Sequence, residues 1–293
     1  MRSLESLGLA RLTWRDWKAI LLRVKDETAK DNVSLVAAGV AFYALLALFP
    51  GIAAFVGAYG LVADPADVPR HLDALEDLLP AEAFGIVQGQ VEDLAASGKR
   101  SLGFASIVAI LLAFWSSRAG VNAMVRGLNI VYDRDERRGF FSQTFVTLML
   151  TAMMLMVAAV AFLAILAVPA ILGVFDFWWV GEWFAAVIRW PIVIAAIAAA
   201  LAILYRFGPY RKEAELAWLS WGAALATFLW IVGSAAFSIY VANFAGYNET
   251  YGSLGAVIGL LMWFYLSAFI ILVGAEINAE IERYLRERAI SSF

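Results

Sequence analysis

The chain has 293 residues, 63% of them hydrophobic and 16% charged, with a formal net charge of -3. A mean hydropathy of +0.78 is too apolar for a soluble domain of this size and points to an all-α, polytopic membrane protein. There is no cysteine and only one histidine, His71, which removes disulfides, thiolate chemistry and multi-histidine metal sites, while the weak net charge gives no basis for binding nucleic acid.

Residues 1–31 hold seven basic residues and no apolar core long enough for a signal peptide. Trp14, Trp17, Leu21 and Val24 recur at helical spacing among Arg11, Arg15, Lys18 and Lys25, the pattern of a basic amphipathic helix lying in the membrane interface. A helix packed on the cytoplasmic loops is the second reading.

From Asn32 to Ala63 the chain runs 32 residues without a charge, long enough to span a bilayer. Pro50 near its middle predicts a kink facing protein, because the freed carbonyl needs a partner that lipid cannot supply. Ala38, Gly39, Gly51 and Gly57 would admit close neighbours, so this span is expected at the centre of the bundle. Tyr43 within it carries a hydroxyl that needs a partner there.

Residues 64–100 carry eight acidic and three basic residues. Val68, Leu72, Leu75 and Leu79 form one apolar stripe and Phe84, Val87, Val91 and Leu94 another, with Pro80 between them placed for a helix start. This predicts an external helical hairpin whose stripes cover each other or the outer ends of the spans, with docking of an envelope protein as the alternative.

Further uncharged runs cover Ser101–Ser117, Gly139–Phe175, Leu216–Asn248 and Thr250–Ala275, and Trp183–Tyr205 is interrupted only by Arg189. Six transmembrane helices are predicted, at about 33–62, 102–118, 142–170, 183–205, 216–245 and 252–275, inside a membrane domain of residues 32–275. The third run would measure about 55 Å as one helix, so it must project, tilt or break at Pro169. With both termini cytoplasmic, the inner segments, including the tail 276–293, hold 18 of the 22 Lys and Arg residues, which sets the orientation.

Several stretches resemble the YihY/BrkB family of bacterial inner-membrane proteins: AAGVAFYALLALFP at 37–50, FWSSRAGVNAMVRGLNIVYD at 114–133, YRFGPY at 205–210 and YNETYGSLGAVIGLLMWFYLSAFIILVGAEINAE at 247–280. The resemblance covers about residues 14–285 and implies six helices and no established biochemical activity. The family has carried the labels ribonuclease BN and virulence factor. A metal-dependent nuclease needs clustered ligands, and the lone histidine lies in the acidic external segment, so the residues give the ribonuclease label no support.

Arg118, Asn122, Arg126 and Asn129 fall at i, i+4, i+8 and i+11, one polar stripe if the second span continues as helix. Its alternative is the solvated face of a protruding helix. Asn243, Tyr247, Asn248, Glu249 and Tyr251 crowd the turn between the last two spans, either as an external vestibule or as an ordinary polar turn. Glu276 ends the last uncharged run at about the depth of Arg118, which predicts a buried pair of Glu276 with Arg118 or Arg126, supported by Asn278 or Asn122. The sequence thus predicts a transporter or lipid-handling protein of the inner membrane, with a non-transporting envelope scaffold as the alternative. Membrane lipids are the expected partners, and no cofactor, metal or catalytic group is predicted.

Overall fold

A computed structural model of the chain describes residues 12–59, 81–96, 102–174, 178–211, 216–243 and 253–291. Among these residues the protein is all-α, with eight helices: α1 (Trp14–Lys30), α2 (Val33–Tyr59), α3 (Ala81–Ala96), α4 (Leu102–Val131), α5 (Phe140–Val174), α6 (Trp178–Phe207), α7 (Leu216–Asn243) and α8 (Ser253–Ser291). Four stretches are long and apolar enough to cross a membrane: Phe140–Ala161, Trp190–Phe207, Gly222–Val241 and Gly255–Arg288. A fifth is counted if α1 and the start of α2, bent by 63° at their junction, form one broken span. Helix α4 is not in that set; its second half carries Arg118 and Arg126.

The start of α1 is fixed by a capping box, in which the Thr13 hydroxyl accepts from the Asp16 backbone and the Asp16 carboxylate accepts from the Thr13 N–H at 2.7 Å. Its end is fixed by Asn32, whose φ of 51° lies in the left-handed region that asparagine tolerates better than most residues. Chain direction changes there, so Ile20 and Val24 lie against Ile277, Ile281 and Leu285 of α8 while Trp14, Leu21 and Leu22 stay exposed. The amphipathic pattern therefore has two apolar aspects, one covered by protein.

The hub of the bundle is α8, which packs on α1, α2, α3, α4 and α7. Helix α2, expected at the centre, packs on α1, α3, α4 and α8, most extensively on α4, while it leaves Leu35, Phe42 and Leu46 exposed along one side. An uncharged run reports that a helix crosses lipid, and only the contacts report how many of its sides other helices cover. Gly39 meets open space, whereas on α4 a Cβ at Gly127 would lie 2.7 Å from Val36 and 2.9 Å from Leu272. The close approach in the α2–α4–α8 packing thus runs through α4.

Helix α2 continues through a half-buried Pro50, and α5 runs unbroken past Pro169. Of the predicted external hairpin, residues 64–80 and 97–100 lie outside the described residues. Its expected second helix, α3, buries Phe84 and Val91 and packs on α2 and α8, so these two members of the stripe are covered within the chain. Between α7 and α8, each partner's indole N–H donates to a serine of the other: Trp230 to Ser267 at 3.0 Å and Trp263 to Ser234 at 3.3 Å. Such reciprocal bonds satisfy donors that lipid would leave unpaired.

Candidate functional site

Buried polar side chains concentrate at the end of the bundle where α1 lies. Asn129, Glu276, Asn278 and Glu280 are all buried there, although three of them follow an uncharged apolar run on α8. Polar groups so placed are costly unless paired, which makes the pairing pattern informative.

Helix α4 brings three members of the predicted stripe onto α5 and its connection. Arg118 donates to the Thr144 hydroxyl at 2.8 Å and lies over the Trp115 ring, with its centroid 5.2 Å away. Asn122 accepts from Gln143 at 3.1 Å, and Asn129 donates to Glu136 at 2.8 Å while accepting from the Tyr210 backbone at 2.7 Å. Arg126 is exposed. The reason is angular: at about 100° per residue, positions i+4 and i+11 lie within about 40° of Arg118, whereas i+8 lies about 80° away.

The connection after α4 turns at Asp133, whose φ is 48°, and leads Glu136 and Arg138 back under the helices. Arg138 donates to the carbonyls of Gly208 and Pro209 at 3.1 and 3.0 Å, pairs with Glu136 at 3.5 Å and sits over Tyr210. Arg211 donates to the Tyr205 carbonyl at 3.0 Å and pairs with Glu282 at 3.3 Å, its guanidinium 4.3 Å from the Tyr132 ring centroid. The stretch YRFGPY is thus the joint that ties α4, α6 and α8 together. Gly208 has no room for a side chain, since a Cβ would lie 2.5 Å from the Leu204 carbonyl and 2.7 Å from Leu128.

On α8, Asn278 accepts from the Gly222 backbone at 2.9 Å, which breaks into the apolar contact between α7 and α8. A Cβ at Gly222 would sit 2.2 Å from that same side chain, so glycine is what lets Asn278 reach the backbone. The side chain of Asn278 and the buried Tyr132 hydroxyl lie within hydrogen-bonding reach of each other.

Glu276 is fully buried and neither carboxylate oxygen has a hydrogen-bond partner. The predicted bonding to Arg118 or Arg126 is therefore absent: Arg118 faces α5, and the charged groups around Glu276 are Asp31, Arg283 and Glu280. The expected equal depth fails as well: Leu272, one turn before Glu276, lies against Gly127, so Glu276 is set beside the end of α4, well past Arg118. Asp31 stands at the α1–α2 corner, and its carboxyl lies within hydrogen-bonding reach of the Glu276 carboxyl. Burial first, then the negative charges of Asp133 and Glu27, raises the Asp31 carboxyl above its ordinary value. Arg283 is committed elsewhere, to Glu280, Asp133 and the Val131 carbonyl.

Of the remaining predicted positions, Tyr43 is 41% exposed and stacks edge-on with Phe42, so its ring is turned out of the bundle. Asn243 closes α7, while Tyr247, Asn248, Glu249 and Tyr251 lie outside the described residues. Sequence reasoning missed Asp31, Tyr132, Glu136, Arg138, Arg211 and Glu282. The available signal was the pair of positions that flank the two left-handed residues Asn32 and Asp133, where short polar segments turn the chain back on the bundle. Among the described residues no group of three or more His, Cys, Asp or Glu is placed to hold a metal ion.

The sequence profile of the family described as Virulence factor BrkB matches residues 24–291. The ribonuclease-like protein YfkH of Bacillus subtilis is 34% identical over 254 residues, covering 83% of this chain and 87% of that protein. A UPF0761 membrane protein of Vibrio parahaemolyticus is 28% identical over 262 residues, 85% of this chain and 77% of the relative. One from Aliivibrio salmonicida is 25% identical over 278 residues, 92% of this chain and 84% of the relative. No solved structure matches the chain. With the profile spanning nearly its whole length and these relatives aligned over most of theirs, the chain belongs to the BrkB family of integral membrane proteins.

Proposed function

We propose that this protein is a carrier or lipid-handling protein of the bacterial inner membrane, not an enzyme, with six spans and both termini in the cytoplasm. The observation that supports this reading is the polar layer of Asn129, Glu276, Asn278 and Glu280, buried at one end of an otherwise apolar bundle. Ionisable and amide groups at such depth are expensive, and in membrane proteins they mark pathways for polar solutes or headgroups more often than they stabilise packing. The two buried carboxylate oxygens of Glu276 that no donor reaches make the point sharply, because a purely structural layer would have satisfied them.

Flux of a fluorescent lipid between leaflets, or of a polar solute, through vesicles reconstituted with the purified protein tests this. Protein-dependent flux that falls in Asn278→Leu supports the reading, and no flux of either kind overturns it. Orientation is testable separately: the native chain has no cysteine, so single cysteines at Arg15 and Arg137 should react from the cytoplasmic side and one at Gly85 from the outside. The ribonuclease-like name of the Bacillus relative is not carried over, for the donor set that nuclease chemistry needs is not in the chain. In the scaffold alternative the external hairpin would crosslink to a specific envelope protein.

A further inference from the structure

We propose that Asp31 and Glu276 together form a binding site for one exchangeable proton, and that this proton is the coupling ion of the carrier. The first clause stands on the burial, the unpaired oxygens and the mutual reach of the two carboxyls; the second rests on the reading above.

Glu276 is fully buried, both of its oxygens lack a donor, and Asp31 Oδ2 is buried without a donor as well. The two carboxyls lie within hydrogen-bonding reach of each other. Two ionised carboxylates cannot donate to one another, so this contact becomes a hydrogen bond only when one of them is protonated. The O–H of one then bonds to the carboxylate oxygen of the other, and the pair carries a single negative charge. Releasing the proton to water leaves two adjacent negative charges in a site that burial has largely cut off from solvent, an expensive state unless something else compensates.

Every charged group facing the pair is otherwise engaged or has the wrong sign. From α1, Glu27 is held by Lys30 at 2.8 Å. From the connection after α4, Asp133 is held by Arg283, and on α8 itself Glu280 is also held by Arg283. Helices α2 and α7 contribute no charged residue, and Arg126 of α4 is exposed. The pair therefore titrates as a unit with one shared proton, as close carboxyl dyads do. Asp31 is only half-buried, at the open corner between α1 and α2, which gives the proton a short way out to water.

The test is infrared difference spectroscopy of the purified full-length protein in detergent, read at the C=O stretch of a protonated carboxylic acid. The expected result is a band present at neutral pH that shifts when H2O is replaced by D2O, disappears as pH rises, and is missing from both Glu276→Gln and Asp31→Asn. No titrating band in the native protein overturns the site, as does a band that survives both substitutions. If one variant does not fold, the other and the native titration still decide. Sodium ions that raise the melting temperature at neutral pH, in a protein without the band, would assign the pair to a metal cation and overturn the proton. Proteoliposome flux under an imposed pH gradient separates the two clauses. A band without flux keeps the proton site and removes the carrier, whereas flux indifferent to the gradient with no band keeps the carrier and removes the proton.

Discussion

The Tyr205 hydroxyl donates to the Ile271 carbonyl at 2.6 Å, and a Cβ on Gly274 would lie 2.6 Å from that same hydroxyl. It would also lie 2.6 Å from Ala226 of α7, so α6, α7 and α8 meet at a point with no spare volume. Gly274→Ala should therefore push three helices apart and cost about 1–3 kcal/mol, the range for overpacking a filled core. Tyr205→Phe, which removes one hydrogen bond and no volume, should cost about 1 kcal/mol. Thermal melting in detergent ranks the two, and a glycine variant less harmful than the phenylalanine variant would contradict the packing.

Arg211 and Glu282 form the ion pair whose disruption should register, since the two side chains are only 7% and 19% exposed. Arg211→Gln and Glu282→Gln should each destabilise, and the double variant should lose less than the sum by about 1 kcal/mol or more. Glu276→Gln and Arg118→Gln, which share no contact, should add to within about 0.5 kcal/mol. A double-mutant cycle on each pair checks both statements.

Asn129 holds two separate segments, Glu136 and the Tyr210 backbone, on one side chain. Asn129→Ala strands the Tyr210 N–H and should cost about 1–3 kcal/mol. Asn129→Asp keeps an acceptor for Tyr210 but sets a carboxylate against Glu136, so it should not restore stability. Hydrogen exchange at the Tyr210 amide, faster in both variants, is the local readout.

Docking of α1 should be acid-sensitive. Hydrogen bonds from Tyr284 and from the Thr13 backbone and hydroxyl, aided by the charge of Arg288, lower the Asp16 carboxyl from 3.8 to about 2. A group whose folded value is depressed contributes stability above its unfolded value and loses it as pH falls towards the folded one. The contribution is therefore complete above about pH 4 and is lost between there and about pH 2, a window that Asp16→Asn should abolish. Tyrosine fluorescence or proteolysis of the N-terminal segment across that range follows the release.

The helices were legible because lipid demands long uncharged runs, and α7 follows its run closely, whereas α4 continues well beyond its run, to Val131. The stripe Arg118–Asn122–Asn129 was legible too, being a matter of angle along one helix. What could not be read was the relative height of neighbouring helices. Depth arithmetic put Glu276 level with Arg118, but Leu272, one turn before Glu276, seats against Gly127, which sets Glu276 beside the end of α4 and well past Arg118. Asp31 looked like the last residue of a basic segment, and only the corner set by Ile20 and Val24 on α8 brings it against Glu276. YRFGPY was recognisable as a stretch, yet the work of Tyr205 and Gly208 lies in contacts with α8 and α4 that no local pattern encodes.

The clasp between the two ends of the chain sets an order of events during synthesis. Tyr284 bonds to Asp16 across 268 residues, and Arg23 bonds to Glu287 across 264. At about 5–20 residues per second a ribosome needs about 10–50 s to produce the second partner after the first has emerged. For all that time the surface around Ile20 and Val24 has no part of α8 to cover it, and the aspect formed by Trp14, Leu21 and Leu22 is exposed as well. A nascent chain arrested before residue 277 would leave α1 open to protease, and release of the finished chain would close it, so protection of α1 marks completion of the molecule.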